Sequence, residues 1–330
     1  MFNFSTLHWS TGILFLLCGT LYGAKRVITT RSFDSDLFMD IISRYKITTT
    51  FLVPYAISLL LKNSNLKPLE TVTNMLAGGS VVSKKLCEAM APYLLKCKLT
   101  TAYGSTESDS LTSSATHQRY GSVGKVFFNV QIKIIDEVEN KLGPNETGEI
   151  CYKTPIAFTE YLGDPEKTKE AIKNGWVYTG DIGYFDIDGF LFVIDRKKDM
   201  LKVNNFQVSS IFKPLRFYIL NFTFITRQVY PSELEALINK IDGVVNSCVV
   251  GVYEEEKGND LIFAFVIKDT SNQHVTAEGI LKYVHSRTTF VNQLSGGVYF
   301  LDSFPLTPSG KVRKTEVKNI AKSLLNFDTS

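Results

Sequence analysis

Apolar and polar positions in the first third of the chain alternate with two different periods. Between Leu37 and Tyr45 apolar residues recur every three or four positions, which predicts a helix with one apolar face, and Asp34 can cap it. The next run, 47–53, is rich in β-branched residues and stops at Pro54, which predicts a strand. The alternation continues with predicted helices at 55–61 and 83–95 and predicted strands at 74–77 and 98–103. We therefore expect an α/β fold with a mostly parallel sheet.

The apolar run 13–21 lies where the hydrophobic region of a secretory signal would lie. It is shorter than the roughly 20 residues needed to span a bilayer. No basic residue precedes it, whereas Lys25 and Arg26 follow it. We expect a buried helix and no stable membrane insertion; a signal or anchor is the alternative.

The pattern changes after residue 120. Residues 121–195 contain short alternating strands, for example 130–136 and 148–153, separated by turns rich in Gly, Asp and Asn, and this predicts a β-rich subdomain.

From Pro231 onward, a helix with Ser232 and Glu235 spaced as a capping box precedes two apolar strands and an amphipathic helix, which predicts a small α+β domain. We place the boundary at the charged D-R-K-K-D segment. The predicted domains are 1–197 and 198–330.

Charge and cysteine content narrow the classes of partner and compartment. The 36 basic and 33 acidic residues are dispersed along the chain and give a net charge of +3. The sequence therefore has no basic block of the kind that would indicate nucleic-acid binding. The five cysteines are odd in number and form no C-x-x-C pair, which argues against a disulfide framework or a zinc site. We expect an intracellular protein, cytoplasmic or peroxisomal, although the chain does not end in an S-K-L type signal.

Two small-residue motifs follow predicted strands of the parallel sheet, where ligands gather in α/β proteins. They are A-G-G-S at 77–80 and Y-G-S-T-E at 103–107. In the second motif Gly104 permits a tight turn, Thr106 offers a hydroxyl to a phosphate, and Glu107 offers a hard oxygen ligand to Mg²⁺. Tyr103 can lie flat against a purine.

Three further residues suit nucleotide chemistry. Asp181 follows Gly180 at a turn, where its carboxylate can accept both hydroxyls of a ribose, and Arg196 lies beyond the next hairpin, where it can reach the same nucleotide. Lys311, in P-L-T-P-S-G-K, is presented on a Ser-Gly turn as a mobile point charge for a phosphate or a developing oxyanion.

These segments, in this order, resemble the adenylate-forming superfamily of acyl-CoA synthetases, 4-coumarate:CoA ligases and beetle luciferases. The resemblance covers nearly the whole chain. It implies a partial N-terminal adenylation domain and a mobile C-terminal domain that rotates about Lys198. The roles it implies are as follows: Gly78, Gly79 and Ser80 line the acyl and adenine pocket; Tyr103 and Gly104 contact adenine; Thr106 binds phosphate; Glu107 holds Mg²⁺; Asp181 and Arg196 bind ribose; Lys311 contacts the carboxylate and α-phosphate; Lys202 and Gln207 belong to the thioester-forming and nucleotide-contacting stretch.

The function implied is that of an acid-thiol ligase. A fatty or aromatic acid reacts with ATP and Mg²⁺ to give an acyl-adenylate, and coenzyme A then displaces AMP to give an acyl-CoA. The implied partners are small molecules, and the oligomeric state stays open.

Two departures from the family pattern qualify this interpretation. The family's phosphate-cradling Ser/Thr/Gly loop ending in P-K-G is absent, so we expect an N-terminally truncated chain with exposed sheet edges and apolar surface. An inactive AMP- or acyl-adenylate-binding protein, or a fragmentary gene model, is therefore the alternative.

The second departure is the apolar segment 208–228, which has no family counterpart. Its deletion restores the continuous N-N-F-Q-V-Y-P-S-E pattern. A valine codon begins with GT, a glutamine codon can end in AG, and the segment is a whole number of codons. Our hypothesis is a retained intron; a genuine loop is the alternative.

Overall fold

The computed structural model describes residues 1–63, 65–113, 119–156, 158–202, 228–254, 259–269, 274–288, 293–307 and 310–328. The chain divides into two compact units. The first unit comprises Met1–Lys198 together with Pro305–Arg313, and the second comprises Asp199–Phe304 together with Lys314–Ser330.

The first unit contains a six-stranded sheet flanked by helices. Its strands are β1 (Phe2–Asn3), β2 (Thr49–Leu52), β3 (Asn74–Ala77), β4 (Leu99–Ser105), β5 (Asp109–Ser113) and β6 (Lys125–Val126), adjacent in that order. The β1–β2, β2–β3 and β3–β4 pairs are parallel, and the last two pairs are antiparallel. The helices are α1 (Ser10–Leu21), α2 (Ser35–Tyr45), α3 (Pro54–Leu60) and α4 (Lys84–Met90), with short 3₁₀ segments at Lys67–Thr71 and Ala91–Tyr93.

Helix α2 shows how local sequence sets these elements. The Asp34 side chain accepts a hydrogen bond of 2.8 Å from the amide of Leu37, as predicted for a cap. Phe38 and Ile42 on the predicted face are fully buried. Tyr45 was expected on that face but is 53% exposed, because the helix ends there and Lys46 turns into the left-handed region at φ 50°.

Helix α1 forms where the apolar run predicted a helix, but the prediction that it is buried is wrong. Phe15 packs into the core with Gly12 and Gly19, whereas Leu17 and Leu21 are 54% and 81% exposed. Residues 13–18 of this helix are all apolar, and such a run covers every side of a helix, so the helix presents apolar side chains outward as well as inward. Apolar surface was expected in this part of the chain. Among the described residues, no helix combines the length and the apolar character needed to cross a membrane.

The β-rich region of the first unit is a separate antiparallel sheet. Its strands are β7 (Gln131–Ile135), β8 (Gly148–Lys153), β9 (Ile172–Lys173), β10 (Trp176–Phe185) and β11 (Leu191–Arg196). The order is β11-β10-β8-β7, with β9 paired to β10, and helix α5 (Pro165–Ala171) precedes β9. Ile134, Ile150 and Leu191 form its small core. The register places Asp181 on β10 directly opposite Arg196 on β11.

The second unit is an α+β domain with its own core. It contains β12 (Leu201–Lys202), β13 (Gln228–Val229), α6 (Pro231–Ile238), β14 (Val244–Glu254), β15 (Asn259–Lys268), α7 (Ala277–His285), β16 (Gly297–Phe300) and α8 (Lys314–Asp328). Strands β14, β15 and β16 form one sheet and β12 pairs with β13. The predicted α/β fold class, with a mostly parallel sheet, a β-rich region and a small α+β part, is confirmed.

The predicted capping box of α6 is wrong. Tyr230 occupies the cap position without a side-chain cap bond, so Ser232 lies inside the helix rather than before it. The Glu235 carboxylate instead accepts a hydrogen bond of 2.9 Å from the amide of Val249 and lies 3.1 Å from the Lys314 ammonium. The Glu235 side chain thus contacts residues distant in the sequence instead of forming the local cap.

Candidate functional site

The A-G-G-S loop follows β3 and lies against the neighbouring strand β4. A β-carbon added at Gly78 would lie 3.1 Å from the carbonyl oxygen of Ala102, which is tight for any side chain. Gly79 has φ +84°, a left-handed conformation that glycine adopts without strain. Gly79 and Ser80 are exposed. The loop thus brings backbone, not side chains, to the end of the parallel sheet.

The Y-G-S-T-E motif forms the turn between β4 and β5. Parallel pairing of β4 with β3 ends at Thr101, and beyond it β4 continues as an antiparallel hairpin whose register shifts between Tyr103 and Gly104. Inside the turn, the Ser105 amide donates to the buried Ser108 hydroxyl at 3.0 Å. Gly104 and Thr106 are exposed. The motif therefore lies beyond the end of the parallel sheet, as predicted, with the Thr106 hydroxyl accessible.

The Glu107 carboxylate is held in its charged form. The Tyr161 hydroxyl donates to Oε1 at 2.8 Å, and the amide of Phe158 donates to the Glu107 carbonyl at 3.1 Å. Burial raises the pKa of Glu107, but hydrogen bonds from Ser105, Tyr161 and its own amide, with the Arg196 charge, outweigh burial and lower the pKa below its ordinary value. Burial, then the Glu107 charge, raises the pKa of Tyr161 to about 12, so its phenol remains a donor.

Asp181 on β10 contacts three residues. They are Tyr103 on β4, Arg196 on β11 and Thr179 on β10 itself. The Tyr103 hydroxyl donates to Oδ2 at 2.8 Å, and Arg196 Nε lies 3.3 Å from Oδ1. The Asp181 amide donates to the Thr179 hydroxyl at 3.0 Å. An ionised carboxylate can accept about four hydrogen bonds, so Asp181 has the acceptor chemistry that ligand hydroxyls need.

The phenol of Tyr103 is kept neutral by the same neighbours. Burial, followed by the charge of Asp181, raises its pKa well above the ordinary tyrosine value. Tyr103 therefore donates to Asp181 throughout the neutral and mildly alkaline range. Tyr103 also packs against two buried clusters, Leu111, Tyr152 and Val177 in one and Ile134, Ile150 and Leu191 in the other.

The Glu149 side chain binds the backbone of the turn at Gly180. Its carboxylate accepts a hydrogen bond of 3.3 Å from the Gly180 amide and lies 2.7 Å from the Lys197 ammonium. Gly180 has φ +67°, which aims the following Asp181 into the network described above. Glu149 therefore links the β8 strand to both ends of the β10–β11 hairpin.

Lys311 is presented on a tight hairpin that belongs to the first unit. The Thr307 amide donates to the Lys311 carbonyl at 2.8 Å, the Gly310 amide donates to the Thr307 carbonyl at 2.8 Å, and Gly310 has φ +82°. The Lys311 ammonium lies 5.4 Å from the centre of the Trp9 ring. A β-carbon added at Gly79 would lie only 2.8 Å from Cε of Lys311.

The charge of Lys311 is poised by its surroundings. Burial, followed by the positive charge of Arg196, lowers its pKa, and the negative charge of Asp181 partly opposes this. The lysine side chain thus shares one electrostatic environment with the Asp181 network.

The structure brings five of the residues that the sequence singled out into two groups of contacts. Tyr103, Asp181 and Arg196 are in contact, and Gly79 lies against Lys311. Lys202 lies on β12 in the second unit, and Gln207 lies outside the described residues.

Sequence reasoning missed three side chains that hold these groups: Trp9, Glu149 and Tyr161. No local motif marks them, because their partners are far along the chain, 54 residues away for Tyr161 and 31 for Glu149.

Glu107 also suits a magnesium ion that arrives with a nucleotide. Mg²⁺ is commonly held by one or two carboxylates, with phosphates and water completing its shell. Glu107 is ionised and is followed along β5 by polar residues, so the donor available fits that ion. Among the residues that the structure describes, no three carboxylate, imidazole or thiolate side chains converge on one point.

Comparison with known proteins places these features in a family. The model for "AMP-binding enzyme" matches residues 1–162, and the model for "AMP-binding enzyme C-terminal domain" matches residues 233–311. The chain is 30% identical to a luciferin 4-monooxygenase of Nipponoluciola cruciata over 94% of its own length and 53% of the relative's. It is also 30% identical to 4-coumarate–CoA ligase 2 of Nicotiana tabacum, over 92% and 53% of the respective lengths. The chain therefore spans about half the length of these relatives.

Solved structures show the same fold. ATP-bound MatB from Rhodopseudomonas palustris superposes with a TM-score of 0.80 at 23% identity, over 98% of this chain and 60% of that one. A benzoate CoA ligase from Burkholderia xenovorans LB400 superposes with a TM-score of 0.81 at 22% identity, over 96% and 60%. The two matching family models together cover most of the chain, in the order that such enzymes require. The chain belongs to the AMP-binding, adenylate-forming enzyme family.

Proposed function

We propose that this chain carries the adenylate-binding and activating machinery of an acid-thiol ligase, which converts a carboxylic acid into its acyl-CoA by way of an acyl-adenylate. The observation that carries the proposal is the Tyr103, Asp181 and Arg196 network, with Lys311 and the Gly79 loop in the same unit. The reaction class is supported by the family assignment. It is also supported by the names of the similar proteins, which include a 4-coumarate–CoA ligase and a benzoate CoA ligase.

In this proposal the nucleotide is held by its ribose and base. The Asp181 carboxylate accepts hydrogen bonds from the two ribose hydroxyls, and the Arg196 guanidinium keeps the carboxylate charged and correctly oriented. Tyr103 offers its ring face to adenine while its hydroxyl stays bonded to Asp181. Gly78, Gly79, Ser80 and Gly104 leave room for the ligand because they place little or no side chain at the ends of β3 and β4.

Lys311 supplies the charge that the reaction needs. The acid's carboxylate oxygen attacks the α-phosphorus of ATP, the bond to the bridging oxygen breaks, and pyrophosphate leaves with that electron pair. Negative charge builds up on the α-phosphoryl oxygens, and a desolvated ammonium beside them stabilises it. Because burial already lowers the pKa of Lys311, part of its desolvation is paid before the substrate arrives.

Glu107 and Thr106 are proposed to serve the polyphosphate. Glu107 would hold Mg²⁺, and Thr106, which is exposed, would donate its hydroxyl to a phosphate oxygen. When bound, Mg²⁺ neutralises phosphate charge. The bonds from Tyr161 and Ser105 keep the Glu107 carboxylate ionised and oriented for that role.

The second half-reaction rests on the resemblance alone. Lys198 is proposed as the hinge, and Lys202 and Gln207 are proposed to take part in thioester formation and nucleotide contact with coenzyme A as the acceptor. The acid is proposed to be fatty or aromatic. An intracellular site, cytoplasmic or peroxisomal, is supported by the five cysteines, none of which forms a disulfide in the described part of the chain.

Two measurements test the proposal. Calorimetric titration of the chain with AMP measures nucleotide binding directly. Exchange of labelled pyrophosphate into ATP, with a panel of fatty and aromatic acids, measures adenylation. We expect Lys311→Met to lower exchange by about 10²- to 10³-fold, as for removal of one transition-state donor, and to lower AMP affinity by a smaller factor, because the contacts to the ribose and the base remain.

Lys133→Met is the matched control, because Lys133 also faces an indole, that of Trp176 at 4.6 Å, but lies on β7 away from Asp181. AMP binding without exchange would replace the ligase by a nucleotide-binding protein. Failure to bind AMP at all would overturn both.

The segment 208–228 is proposed to be absent from the functional protein. Leu201 pairs with Val229 and Lys202 with Gln228 across β12 and β13. Since Gln207 and Gln228 both precede a valine, a chain lacking Val208–Gln228 keeps the same two pairs and closes them with a loop, 203–206, of ordinary hairpin length.

Shortening this connection lowers the entropic cost of closing the loop. We therefore expect the midpoint of thermal unfolding to rise by about 2–6 °C. Sequencing of the mature transcript gives the independent check. Persistence of these codons in the dominant message, together with an unchanged or lower midpoint, would contradict the hypothesis.

A further inference from the structure

Trp9 is the aromatic neighbour of the lysine that is proposed to carry the chemistry. The Lys311 ammonium lies 5.4 Å from the centre of the Trp9 ring, within the roughly 6 Å over which a cation is attracted to an aromatic face. Indole is the strongest of the natural aromatic partners for a cation. Trp9 lies outside the motifs that the sequence analysis singled out.

The backbone of Trp9 is held by hydrogen bonds on both its amide and its carbonyl. Trp9 is the N-cap of α1, and its carbonyl accepts hydrogen bonds from the amides of Gly12 at 2.9 Å and Ile13 at 3.2 Å. Its own amide donates to the Thr6 carbonyl at 3.1 Å. A β-carbon at Gly12 would collide with the Thr6 carbonyl, so the Thr6–Trp9 turn rests directly on the helix.

Lys311 is bounded on another side by the A-G-G-S loop. Its Cε and Nζ would lie 2.8 Å and 3.4 Å from a β-carbon at Gly79, so the absence of a side chain there is what admits the lysine. The charged groups that act on the ammonium are Arg196, which repels it, and Asp181, which attracts it. An indole face and a glycine therefore define where the ammonium lies.

We propose that Trp9 is a positioning residue for Lys311: its indole holds the ammonium beside the Gly79 loop and releases it to an anionic ligand. A cation–π contact is weaker than a charge-assisted hydrogen bond to a phosphate or carboxylate oxygen. The ligand anion therefore displaces the ring without a large barrier. This inference rests on the proposed function only for the identity of the anion, the α-phosphate of AMP or the acid's carboxylate.

Trp9 can report its own contact by fluorescence. The chain contains two tryptophans, Trp9 and Trp176, so a Trp176→Phe background isolates the Trp9 emission. In that background, titration from pH 7 to 11 is expected to change the emission in one step. Its midpoint should fall below about 10.4, the ordinary lysine value, because burial favours the neutral amine. The step should vanish in Trp176→Phe/Lys311→Met, which retains every tyrosine and so subtracts their titration.

Addition of AMP at pH 7.5 tests the release. Saturating AMP, with saturation established by calorimetry, is expected to change the Trp9 emission in the Lys311 protein and to leave it unchanged in the Lys311→Met protein. Equal emission and equal pH profiles in the two proteins would overturn the positioning role. If AMP binds to the Lys311 protein without changing the Trp9 emission, the proposed release is wrong.

Kinetics separate positioning from packing. Trp9→Leu is expected to lower kcat for pyrophosphate exchange by about 2- to 10-fold with the KM for ATP nearly unchanged. Trp9→Phe should recover part of the loss because it retains an aromatic face. Full activity of Trp9→Leu would overturn the inference.

The two proposals can fail separately. A pH step without any exchange would sink the ligase proposal and leave the Trp9–Lys311 pair standing, since the fluorescence titration needs no turnover.

Discussion

The Asp181 end and the Lys311 end of the candidate site are built from different kinds of contact. Asp181 is 8% exposed and has directional partners, with the Tyr103 hydroxyl at 2.8 Å and Arg196 Nε at 3.3 Å. The contacts recorded for the Lys311 ammonium are an indole face and the space over a glycine. The first end is fixed by hydrogen bonds, and the second is fixed by shape and burial.

This difference has an energetic meaning. Hydrogen bonds to a charged group contribute about 1.5–3 kcal/mol each, whereas a cation–π contact contributes about 0.5–2 kcal/mol. A carboxylate that must recognise a ribose benefits from strong orientation before binding. An ammonium that must follow charge as it develops benefits from a weak contact that it can exchange. The site thus combines a rigid recognition end with an adaptable chemical end.

The largest expected effect on nucleotide affinity comes from breaking the rigid end. Asp181→Asn removes the charge that pairs with Arg196 and replaces one acceptor oxygen by a donor amide, so we expect AMP affinity to fall by about 10- to 100-fold. Calorimetric titration measures the change. Asp164→Asn is the control, because Asp164 caps α5 and pairs with Lys167, away from the nucleotide. Equal losses in both variants would assign the effect to general destabilisation.

The sequence predicted the Asp181–Arg196 part of the rigid end because its geometry is local, whereas the Tyr103–Asp181 bond joins residues 78 positions apart and was not predicted. Asp181 and Arg196 face each other across one hairpin, and the D-I-D-G turn between them sets that register. Period-2 and period-3.6 patterns likewise located β3, β8 and α2 to within a few residues. In each case the residues that determine the structure are neighbours in the chain.

The sequence could not predict the contacts that depend on distant residues. Trp9 and Lys311 come from opposite ends of the chain, and the Tyr161–Glu107 and Glu149–Gly180 bonds join different strands. The capping box of α6 failed for the same reason, because Val249 and Lys314 claim the Glu235 carboxylate.

Burial of α1 was also mispredicted. Apolar composition shows that a helix has an apolar surface, but it does not show which neighbour covers each side.

A smaller effect is expected at the adaptable end from Gly79→Ala. The added methyl group would lie 2.8 Å from Cε of Lys311 and displace the ammonium, and misplacement of a reacting group by about 1 Å lowers rates by up to about 10²-fold. Because the lysine is flexible and can partly recover, we expect a loss of about 10-fold in pyrophosphate exchange.

Gly189→Ala is the matched control. Its φ of +76° gives the same backbone strain as Gly79, but nothing lies within 4 Å of the new methyl group. If the two variants lose equal activity, strain rather than displacement of Lys311 is the cause.

The smallest effect is expected from Tyr103→Phe, which removes one donor from Asp181 and keeps the ring. Loss of about 1 kcal/mol predicts AMP affinity about 5-fold lower at pH 7.5.

The Tyr103→Phe substitution is also expected to change the pH dependence of stability in alkali. Since the folded-state pKa of Tyr103 is raised, its neutral form stabilises the fold fully below the unfolded tyrosine value of about 10, and this contribution is lost as the pH rises through the folded-state pKa. Wild-type stability to urea should therefore fall more steeply above pH 10 than that of Tyr103→Phe. Parallel pH profiles would mean that burial and Asp181 do not hold the phenol neutral, and the Tyr103 contact would then not belong to the rigid end of the site.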